Sequence, residues 1–187
     1  MPLTFLAPAG AFDPAAVTAV YADGGVLNRN PSEVGGTWAF CLVNAIGGRL
    51  FGQAGHIAAA EVAPLPWVSN NLTEVVALLL ALENLPDGWA GAAFSDSKNA
   101  IRAHMAAADL DPRKPGYLPD ELWGRMVAAR QRLGAIRWTL LGGHPTKHEL
   151  AAGYRARDNK PVSPHNVWAD SACQAAGATY LASLATK

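Results

Sequence analysis

The sequence predicts an α/β fold in which a five-stranded mixed sheet carries helices on both faces. Two observations lead to this prediction. Three runs rich in β-branched and aromatic residues come first, as in an antiparallel meander, and strand-like and helix-like segments alternate after them, as where helices connect the strands of a sheet. With 187 residues and 50% hydrophobic content, the chain suits a single domain with one core.

The meander is predicted at residues 16–23, 36–45 and 47–57, with a turn in "NAIGG" between the second and third strands. The pattern then changes to a helical period over 69–85. Asn71 and Glu74 have the N-x-x-E spacing of a capping box at its start, and a Pro and a Gly follow its end. This helix is apolar enough to be well buried.

Strands and helices alternate in the second half of the chain. A short apolar run predicts a fourth strand at 91–96, and the elements after it are helix, helix, strand, an irregular stretch and a final helix. They are expected at 97–108, 121–134, 135–143, 144–164 and 166–184. The complete order is β-β-β-α-β-α-α-β-α.

Composition argues against several kinds of protein. The longest purely apolar stretch, 75–82, is far shorter than the roughly 20 residues that cross a bilayer. The first 28 residues contain no Lys or Arg, so the charged start of a secretory signal is missing. We expect a cytoplasmic protein without a membrane partner. Cys41 and Cys173 lie far apart in a strand and a helix pattern, which favours buried free thiols over a disulfide or metal ligands.

Charge is balanced overall but uneven along the chain. Residues 1–97 hold two basic and eight acidic side chains, whereas residues 98–187 hold thirteen basic and seven acidic ones. One half of the chain could then face phosphates while the other holds cations. The alternative is that the uneven distribution has no functional meaning, because the two halves of the chain interleave in the fold.

Four acidic residues lie at the ends of predicted elements. Asp23 and Asp96 end strands, while Glu74 and Asp170 lie in the first turn or so of helices. Singly, each has an ordinary explanation as a turn former, a cap or a partner of the helix dipole. Together they could converge, and such a cluster is stable mainly with hard divalent cations bound between the carboxylates. Phosphodiester hydrolysis uses two Mg²⁺ or Mn²⁺ ions about 3.5–4 Å apart.

The segments that carry these carboxylates resemble the successive motifs of type 1 ribonuclease H. They are "YADGG" at 21–25, "NNLTE" at 70–74, "SDS" at 95–97 and "NVWAD" at 166–170. The resemblance covers about 16–184 within a single domain of 1–187, which leaves 1–15 as an N-terminal extension. It implies a ribonuclease H-like fold and metal-dependent cleavage of the RNA strand of RNA–DNA hybrids, giving a 5′-phosphate and a 3′-hydroxyl.

The resemblance also implies roles for individual residues. Asp23, Glu74, Asp96 and Asp170 would be catalytic and would bind two Mg²⁺ ions, which Mn²⁺ can replace. Asn70 and Asn71 would approach the RNA strand, where an amide can recognise the 2′-hydroxyl, although Asn71 could simply cap its helix. The remaining predicted substrate contacts are Gly24, Ser97, Lys98 and Asn166.

A histidine on a loop before the last helix would move a proton or help product leave. His165 is the preferred candidate and His148 the next. His144, in "LLGGHPT", resembles instead the "GH" that follows a strand at a different position of the family. An exposed loop histidine without a role is the alternative.

The basic helical protrusion that many bacterial relatives use to grip the hybrid is replaced here by the short segment 107–120. The basic residues of the stretch 144–164 could supply phosphate contacts instead, or could be ordinary solvated charges; they are Lys147, Arg155, Arg157 and Lys160.

Other functions share this fold and an acidic cluster. Junction resolvases and exonucleases act on DNA, and related domains bind hybrids without cutting them, so fold alone does not determine the substrate. The paired Asn before Glu74 favours RNA–DNA hybrid as the partner. A monomer without an obligate protein partner is expected.

Overall fold

The computed structural model describes residues 12–63, 65–109 and 113–186. Five strands form one mixed sheet in the order β3-β2-β1-β4-β5. The first three are antiparallel, and β4 and β5 continue parallel to β1. Their bounds are Ala19–Val26, Gly35–Val43, Arg49–Ala58, Gly91–Ser95 and Ile136–Leu140. The predicted mixed sheet is confirmed.

Helices cover both faces of the sheet, as predicted. The helix α1 contacts β1, β2 and the helices α2 and α3, whereas α5 contacts β1, β2 and β3. Alternation along β2 shows that these are opposite faces: Trp38 and Phe40 lie in the core with α1, and Ala39 between them packs against α5. The bounds of these helices are Asn70–Glu83 for α1, Lys98–Ala106 for α2, Asp120–Arg132 for α3 and Pro164–Ala185 for α5.

The core explains why α1 reads as a hydrophobic segment. Every residue of α1 from Leu72 to Leu82 is buried, so this helix has no broad solvent face. All nine residues of β2 are buried as well, since helices cover both sides of this strand. Each large apolar side chain so enclosed contributes about 1.5–3 kcal/mol relative to exposure. The strand β2 and the helix α1 therefore form a closely packed base beneath the site described below.

Several predicted boundaries differ from the structure. The strand β1 continues past Asp23 to Val26, because β2 pairs with it along its whole length. The cap of α1 is Ser69, whose hydroxyl accepts from the Leu72 amide, and not Asn71. Likewise Ser97, and not Asp96, caps α2. The alternative explanations of Asn71 with Glu74 as a capping box, and of Asp96 as a helix cap, are therefore wrong.

The stretch 144–164 was predicted to be irregular but contains regular structure. It holds the short helix α4, Lys147–Ala152, and a hairpin of β6, Tyr154–Arg155, with β7, Lys160–Pro161. The last helix begins at Pro164 rather than Asn166, because Ser163 caps it and proline suits the first helical turn. We call residues 144–163 the insertion.

The remaining predictions concern the cysteines, the termini and the membrane. Cys41 and Cys173 are buried free thiols, as predicted. Residues 1–11 of the expected N-terminal extension lie outside the described residues, while the ring of Phe12 stacks on Phe51 at 5.1 Å. Within the described ranges, no helix combines the length and the apolar character needed to cross a bilayer, even though α5 spans 22 residues.

Candidate active site

Three of the four predicted carboxylates meet at one edge of the sheet. Asp23, Glu74 and Asp96 each offer an oxygen, and these oxygens all lie within 4.8 Å of one another. The register explains the meeting of the two aspartates. In the described residues, the pairing of β1 with β4 ends at Tyr21 and Phe94. Asp23 lies two residues after Tyr21, still within β1, and Asp96 lies two residues after Phe94, just beyond the end of β4. Parallel strands carry their residues to the same edge.

Glycine at position 24 brings Glu74 to the aspartates. A Cβ at Gly24 would lie 2.4 Å from the Glu74 backbone nitrogen and 2.4 Å from the Thr73 carbonyl carbon. At Gly36, on the neighbouring strand, it would lie 2.4 Å from the Thr73 side chain. The first turn of α1 therefore rests directly on the backbone of the sheet. The Gly24 amide also donates to the Asp23 carboxylate at 2.9 Å. The structure therefore gives Gly24 a packing role, and its predicted contact with substrate stays a prediction.

Asp170 lies beside the three carboxylates on α5. Its Oδ1 accepts from Gln174 at 3.1 Å, and its Oδ2 lies 3.7 Å from the Nδ1 of His144. A cavity of about 230 Å³ opens here between the end of the sheet and α5. Its walls are formed by Asp96, His144, Pro145, Asn166, Val167 and Asp170. All four predicted carboxylates thus surround one region.

Burial and like charge make this cluster costly when every member is ionised. Burial, followed by the charges of Asp96 and Asp170, raises the pKa of Asp23 to about 8. The pKa of Glu74 is raised well above its usual range, mainly by burial and then by Asp23 and Asp96. Burial also raises the pKa of Asp96, and among the effects that lower this pKa the proximity of His144 is the largest. A bound cation would remove this repulsion and favour the ionised forms.

The donor set fits a hard divalent cation. Glu74 Oε2 is buried and, among the described residues, has no hydrogen-bond partner. Such an atom is costly to bury unless something binds it. The three groups that approach one another are all carboxylates, so each offers an oxygen. Mg²⁺ and Mn²⁺ prefer oxygen ligands over nitrogen or sulfur. The residues present therefore suit the predicted metals.

Two predicted RNA contacts lie on the first turn of α1. The side chain of Asn70 donates to Glu74 Oε1 at 3.4 Å, so its amide lies next to the carboxylate cluster. Asn71 turns away from Glu74, and its Oδ1 accepts from Asn99 on α2 at 3.0 Å. Asn70 is therefore the asparagine adjacent to the reacting region, while Asn71 joins the starts of two helices.

The other predicted contacts are divided between two places. Ser97 caps α2, and Lys98 follows it on the edge of a surface groove that also contains Trp138. Asn166 lies in the wall of the 230 Å³ cavity and is 3% exposed. Its Oδ1 is buried without a hydrogen-bond partner in the described part of the chain. Asn166 is thus, like Glu74, a site candidate with a buried oxygen that lacks a partner in the described part of the chain.

His165 does not lie among the carboxylates. Its loop position was predicted wrongly, because α5 begins one residue earlier and draws it into the first helical turn. Its ring packs 4.9 Å from that of Tyr21, and burial lowers the pKa of its imidazole. His144 lines the cavity instead and is the described histidine beside Asp170. The sequence signal for His144 is its position directly after the two glycines, Gly142 and Gly143, that follow β5.

Two of the cations expected to contact phosphate, Arg155 and Lys160, are bound to groups within the protein. The guanidinium side chain of Arg155 is 10% exposed and is bound to Asp158 and to the Gly143 carbonyl. Lys160 pairs with the same aspartate at 3.1 Å. These two cations are therefore engaged inside the insertion, whereas Arg157 is exposed at the tip of the hairpin.

Comparisons of the whole chain find similarity in structure but not in sequence. No family model and no curated protein matches the sequence. The N-terminal RNase H domain of a Mycobacterium tuberculosis protein, solved as a fusion with maltose-binding protein, superposes with a TM-score of 0.54 at 19% identity. This match covers 89% of the present chain and 99% of that one.

Two structures of LC11-RNase H1, isolated from compost by a metagenomic approach, are similar to the same degree. The structure in complex with an RNA/DNA hybrid has a TM-score of 0.53 at 16% identity and covers 87% of this chain and 98% of its own. The other has a TM-score of 0.54 at 17% identity and covers 89% and 99%. At such low identity the similarity concerns architecture. The chain therefore has the fold of the type 1 ribonucleases H.

Proposed function

We propose that the protein is a divalent-metal-dependent endonuclease that hydrolyses the RNA strand of RNA–DNA hybrids. The observation that carries this proposal is the approach of Asp23, Glu74 and Asp96 to within 4.8 Å, with Asp170 beside them. The shared fold supports it, as does the hybrid bound by LC11-RNase H1. The proposed products carry a 5′-phosphate and a 3′-hydroxyl.

The carboxylates would hold two Mg²⁺ ions when substrate is bound, and Mn²⁺ is expected to replace them. Bound in this way, such ions supply a hydroxide from water and stabilise the leaving oxygen. The oxygens of Asp23, Glu74 and Asp96 provide the shared centre, and Asp170 closes it from the side of α5. Burial of the first three keeps competing water away from their charges.

His144 is proposed to move a proton at the leaving group. Its Nδ1 faces Asp170 Oδ2 at 3.7 Å, and 78% of the side chain is exposed, so its Nε2 can meet substrate and solvent. General acid–base help of this kind contributes about 10²–10⁴-fold. The geometry favours His144 over His165, since only the former adjoins a site carboxylate.

Substrate recognition is proposed to use residues around the carboxylates. The amide of Asn70, next to Glu74, is suited to the RNA 2′-hydroxyl, and the unpartnered Oδ1 of Asn166 to a donor on the substrate. The proposed contacts also include Gly24 on β1 and, at the starts of α1 and α2, Asn71, Ser97 and Lys98. A monomeric state and a cytoplasmic location remain predictions from the sequence.

Cleavage of a labelled oligonucleotide set tests this function. The set contains an RNA–DNA hybrid, both homoduplexes, single strands and a four-way DNA junction, each with Mg²⁺, Mn²⁺ or EDTA. We expect cleavage of only the RNA strand of the hybrid, abolished by EDTA and by Asp23→Asn but not by Asp109→Asn, which changes an exposed aspartate.

The other outcomes separate the alternatives. Cutting of the junction or of duplex DNA would indicate a DNA nuclease built on the same fold. Tight binding of the hybrid without cleavage in either metal would indicate a binding module. Either result would refute the proposed function.

A further inference from the structure

The insertion is attached to the turn that carries His144. The Gly142 amide donates to the Pro161 carbonyl of β7 at 2.8 Å. Arg155 of β6 donates from Nη1 to the Gly143 carbonyl at 2.7 Å. The hairpin therefore binds, through one acceptor and one donor, the two residues that directly precede His144.

Arg155 is itself held in place. Its Nε and Nη2 donate to the two carboxylate oxygens of Asp158 at 2.8 and 2.5 Å. This fork fixes the plane of the guanidinium, because both bonds must form together. The Nζ of Lys160 also lies 3.1 Å from Asp158 Oδ2. The third donor of Arg155 is thereby aimed at the Gly143 carbonyl.

The supported turn is tightly packed and has an uncommon backbone. A Cβ at Gly142 would lie 2.9 Å from the Arg155 side chain, and one at Gly143 would lie 2.1 Å from Asp96 Oδ2. His144 has a φ of 49°, in the left-handed region that few residues other than glycine adopt. A conformation of this kind persists where surrounding contacts determine it. The contacts of Arg155 are among those that do so here.

From this geometry we propose that Arg155 is a positioning residue for catalysis. Through the Gly143 carbonyl it holds the turn 142–144, so that His144 faces Asp170 and the backbone of Gly143 lies against Asp96. The role of this arginine rests on the proposed nuclease function. Lysine is a poor substitute, since a single ammonium cannot bind both oxygens of Asp158 and reach the Gly143 carbonyl in the same geometry.

Hybrid cleavage by a set of variants tests this role. Arg155→Met should lower kcat about tenfold to a hundredfold and leave KM within about twofold, because it displaces a proton-transfer group and removes no substrate contact. Arg155→Lys should recover part of the loss. Arg137→Met, which removes an exposed arginine of β5, is the matched control and should keep wild-type kinetics.

A double-mutant cycle shows whether Arg155 acts through His144. In a His144→Ala background, Arg155→Met should cause little further loss of kcat, because the group that it positions is already gone. An equal loss in both backgrounds would overturn the proposal, as would a change confined to KM.

Amide exchange gives a readout that does not depend on activity. The Gly142 amide, bound to Pro161, should exchange about tenfold faster in Arg155→Met than in wild type or Arg137→Met, with global unfolding unchanged. Unchanged exchange would contradict the proposal. If wild type cuts no hybrid, the proposed function fails, and this exchange measurement still decides whether Arg155 holds the turn.

A second variant covers the case in which Arg155→Met does not fold. Asp158→Asn keeps Arg155 but weakens the fork that aims it, so the same losses of kcat and Gly142 protection are expected to a smaller extent. If this folded variant matches wild type in both measurements, the proposed role of Arg155 is wrong.

Discussion

At the scale of single residues, Asp23 experiences two opposing demands. Its carboxylate is buried beside Asp96 and Asp170, which raises its pKa to about 8. A stable fold without metal would favour a neutral side chain here, whereas metal binding needs a negative oxygen. The same residue should thus contribute to function and reduce stability, as in many sites that hold strain.

We therefore expect Asp23→Asn to change activity and stability in opposite directions. Loss of a metal ligand should lower hybrid cleavage about a thousandfold, since metal assistance is worth several kcal/mol. In EDTA the variant should unfold at a higher temperature, by about 2–4 °C for each kcal/mol of repulsion relieved. Calorimetry in EDTA and a cleavage assay in Mg²⁺ measure the two effects. Asp109→Asn is the control, and a melting temperature below wild type would contradict the expected repulsion.

The two histidines near the start of α5 make a second residue-scale prediction. His144→Ala should lower kcat about a hundredfold to ten-thousandfold, because it removes the proposed proton-transfer group, whose Nδ1 lies 3.7 Å from Asp170 Oδ2. His165→Ala removes a ring that packs on Tyr21, so it should affect stability more than kcat. Single-turnover cleavage under saturating enzyme separates the chemical step from product release. The reverse ranking of the two variants would return the catalytic role to His165.

At the scale of elements, the contact between β1 and α1 places Glu74. It depends on the missing side chain of Gly24, at which a Cβ would meet backbone atoms of α1 at 2.4 Å. Backbone cannot rotate away as a side chain can, so the helix would have to move. A shift of this kind would separate Glu74 from Asp23.

Gly24→Ala should consequently destabilise the protein by about 1–3 kcal/mol through overpacking and weaken Mn²⁺ binding. Gly124→Ala in α3 offers the contrast, since nothing lies within 4 Å of its added Cβ. That substitution should stabilise by about 0.5–1 kcal/mol, as alanine favours the helix. Urea unfolding measures the change in the free energy of unfolding for both variants. An unchanged free energy in Gly24→Ala would mean that α1 can move away from β1 at no cost in stability, which would contradict the prediction.

The contact between α1 and α2 includes a buried histidine. The Nε2 of His104 lies 3.1 Å from the Val75 carbonyl, and the ring stacks near Trp138 of β5. Burial lowers the pKa of His104 from 6.5 to about 4, and the positive charge of Arg130 on α3 adds to this effect. The folded protein therefore holds this imidazole neutral.

Stability should depend on pH through His104. Below pH 6.5 the unfolded chain binds this proton while the folded chain resists it, so stability falls as the pH drops from about 6.5 to 4. The full effect is about 3 kcal/mol at about 1.4 kcal/mol per pKa unit. His104→Gln keeps a donor for Val75 but does not titrate. The test compares the free energy of unfolding in urea of wild type and His104→Gln between pH 6.5 and 4. As the pH falls, any advantage of wild type should shrink or change to an advantage of the variant. If the two free energies instead change in parallel with pH, His104 is not a source of acid sensitivity.

At the scale of the whole molecule, the uneven charge of the sequence is interleaved by the fold. The acidic half supplies β1–β4 and α1, and the basic half supplies α2, α3, β5, the insertion and α5. The parallel pairing of β4 with β5 joins the two halves within one sheet. Asp170, from the basic half, completes the region of the other three carboxylates. The interleaving of the two halves is thus confirmed, whereas the expectation that one of them faces phosphates stays a prediction.

Divalent metal should stabilise the entire fold, because it binds residues from both halves. At a metal concentration about 100 times Kd, linkage predicts about 2.7 kcal/mol of added stability, or about 5–10 °C in melting temperature for a chain of this size. Thermal unfolding at increasing Mn²⁺ measures this rise, and Asp23→Asn should show much less of it. A wild-type melting temperature that does not respond to Mn²⁺ or Mg²⁺ would count against a preformed metal centre.

The sequence alone was sufficient for the five strands of the main sheet, its four long helices and the identity of the four acidic candidates. Hydrophobic period and turn residues are local properties, so they can be read from a window of sequence. The same signals failed for α4 and the hairpin, whose elements of six and two residues are too short to show a period. The N-x-x-E spacing is consistent with Asn71 as the cap of α1, whereas the structure has Ser69 there, which accepts from the Leu72 amide.

The tertiary structure decided which residues meet. That His144 adjoins Asp170, that His165 packs on Tyr21 and that Arg155 binds Gly143 depend on how α5 and the insertion dock on the sheet. Such distances join residues separated by 12 to 144 positions in the chain. Chain separation does not determine spatial separation, because the path between two residues is set by the packing of all the elements between them. The sequence therefore determined the residue types available for the site, and the docking of the elements determined their partners.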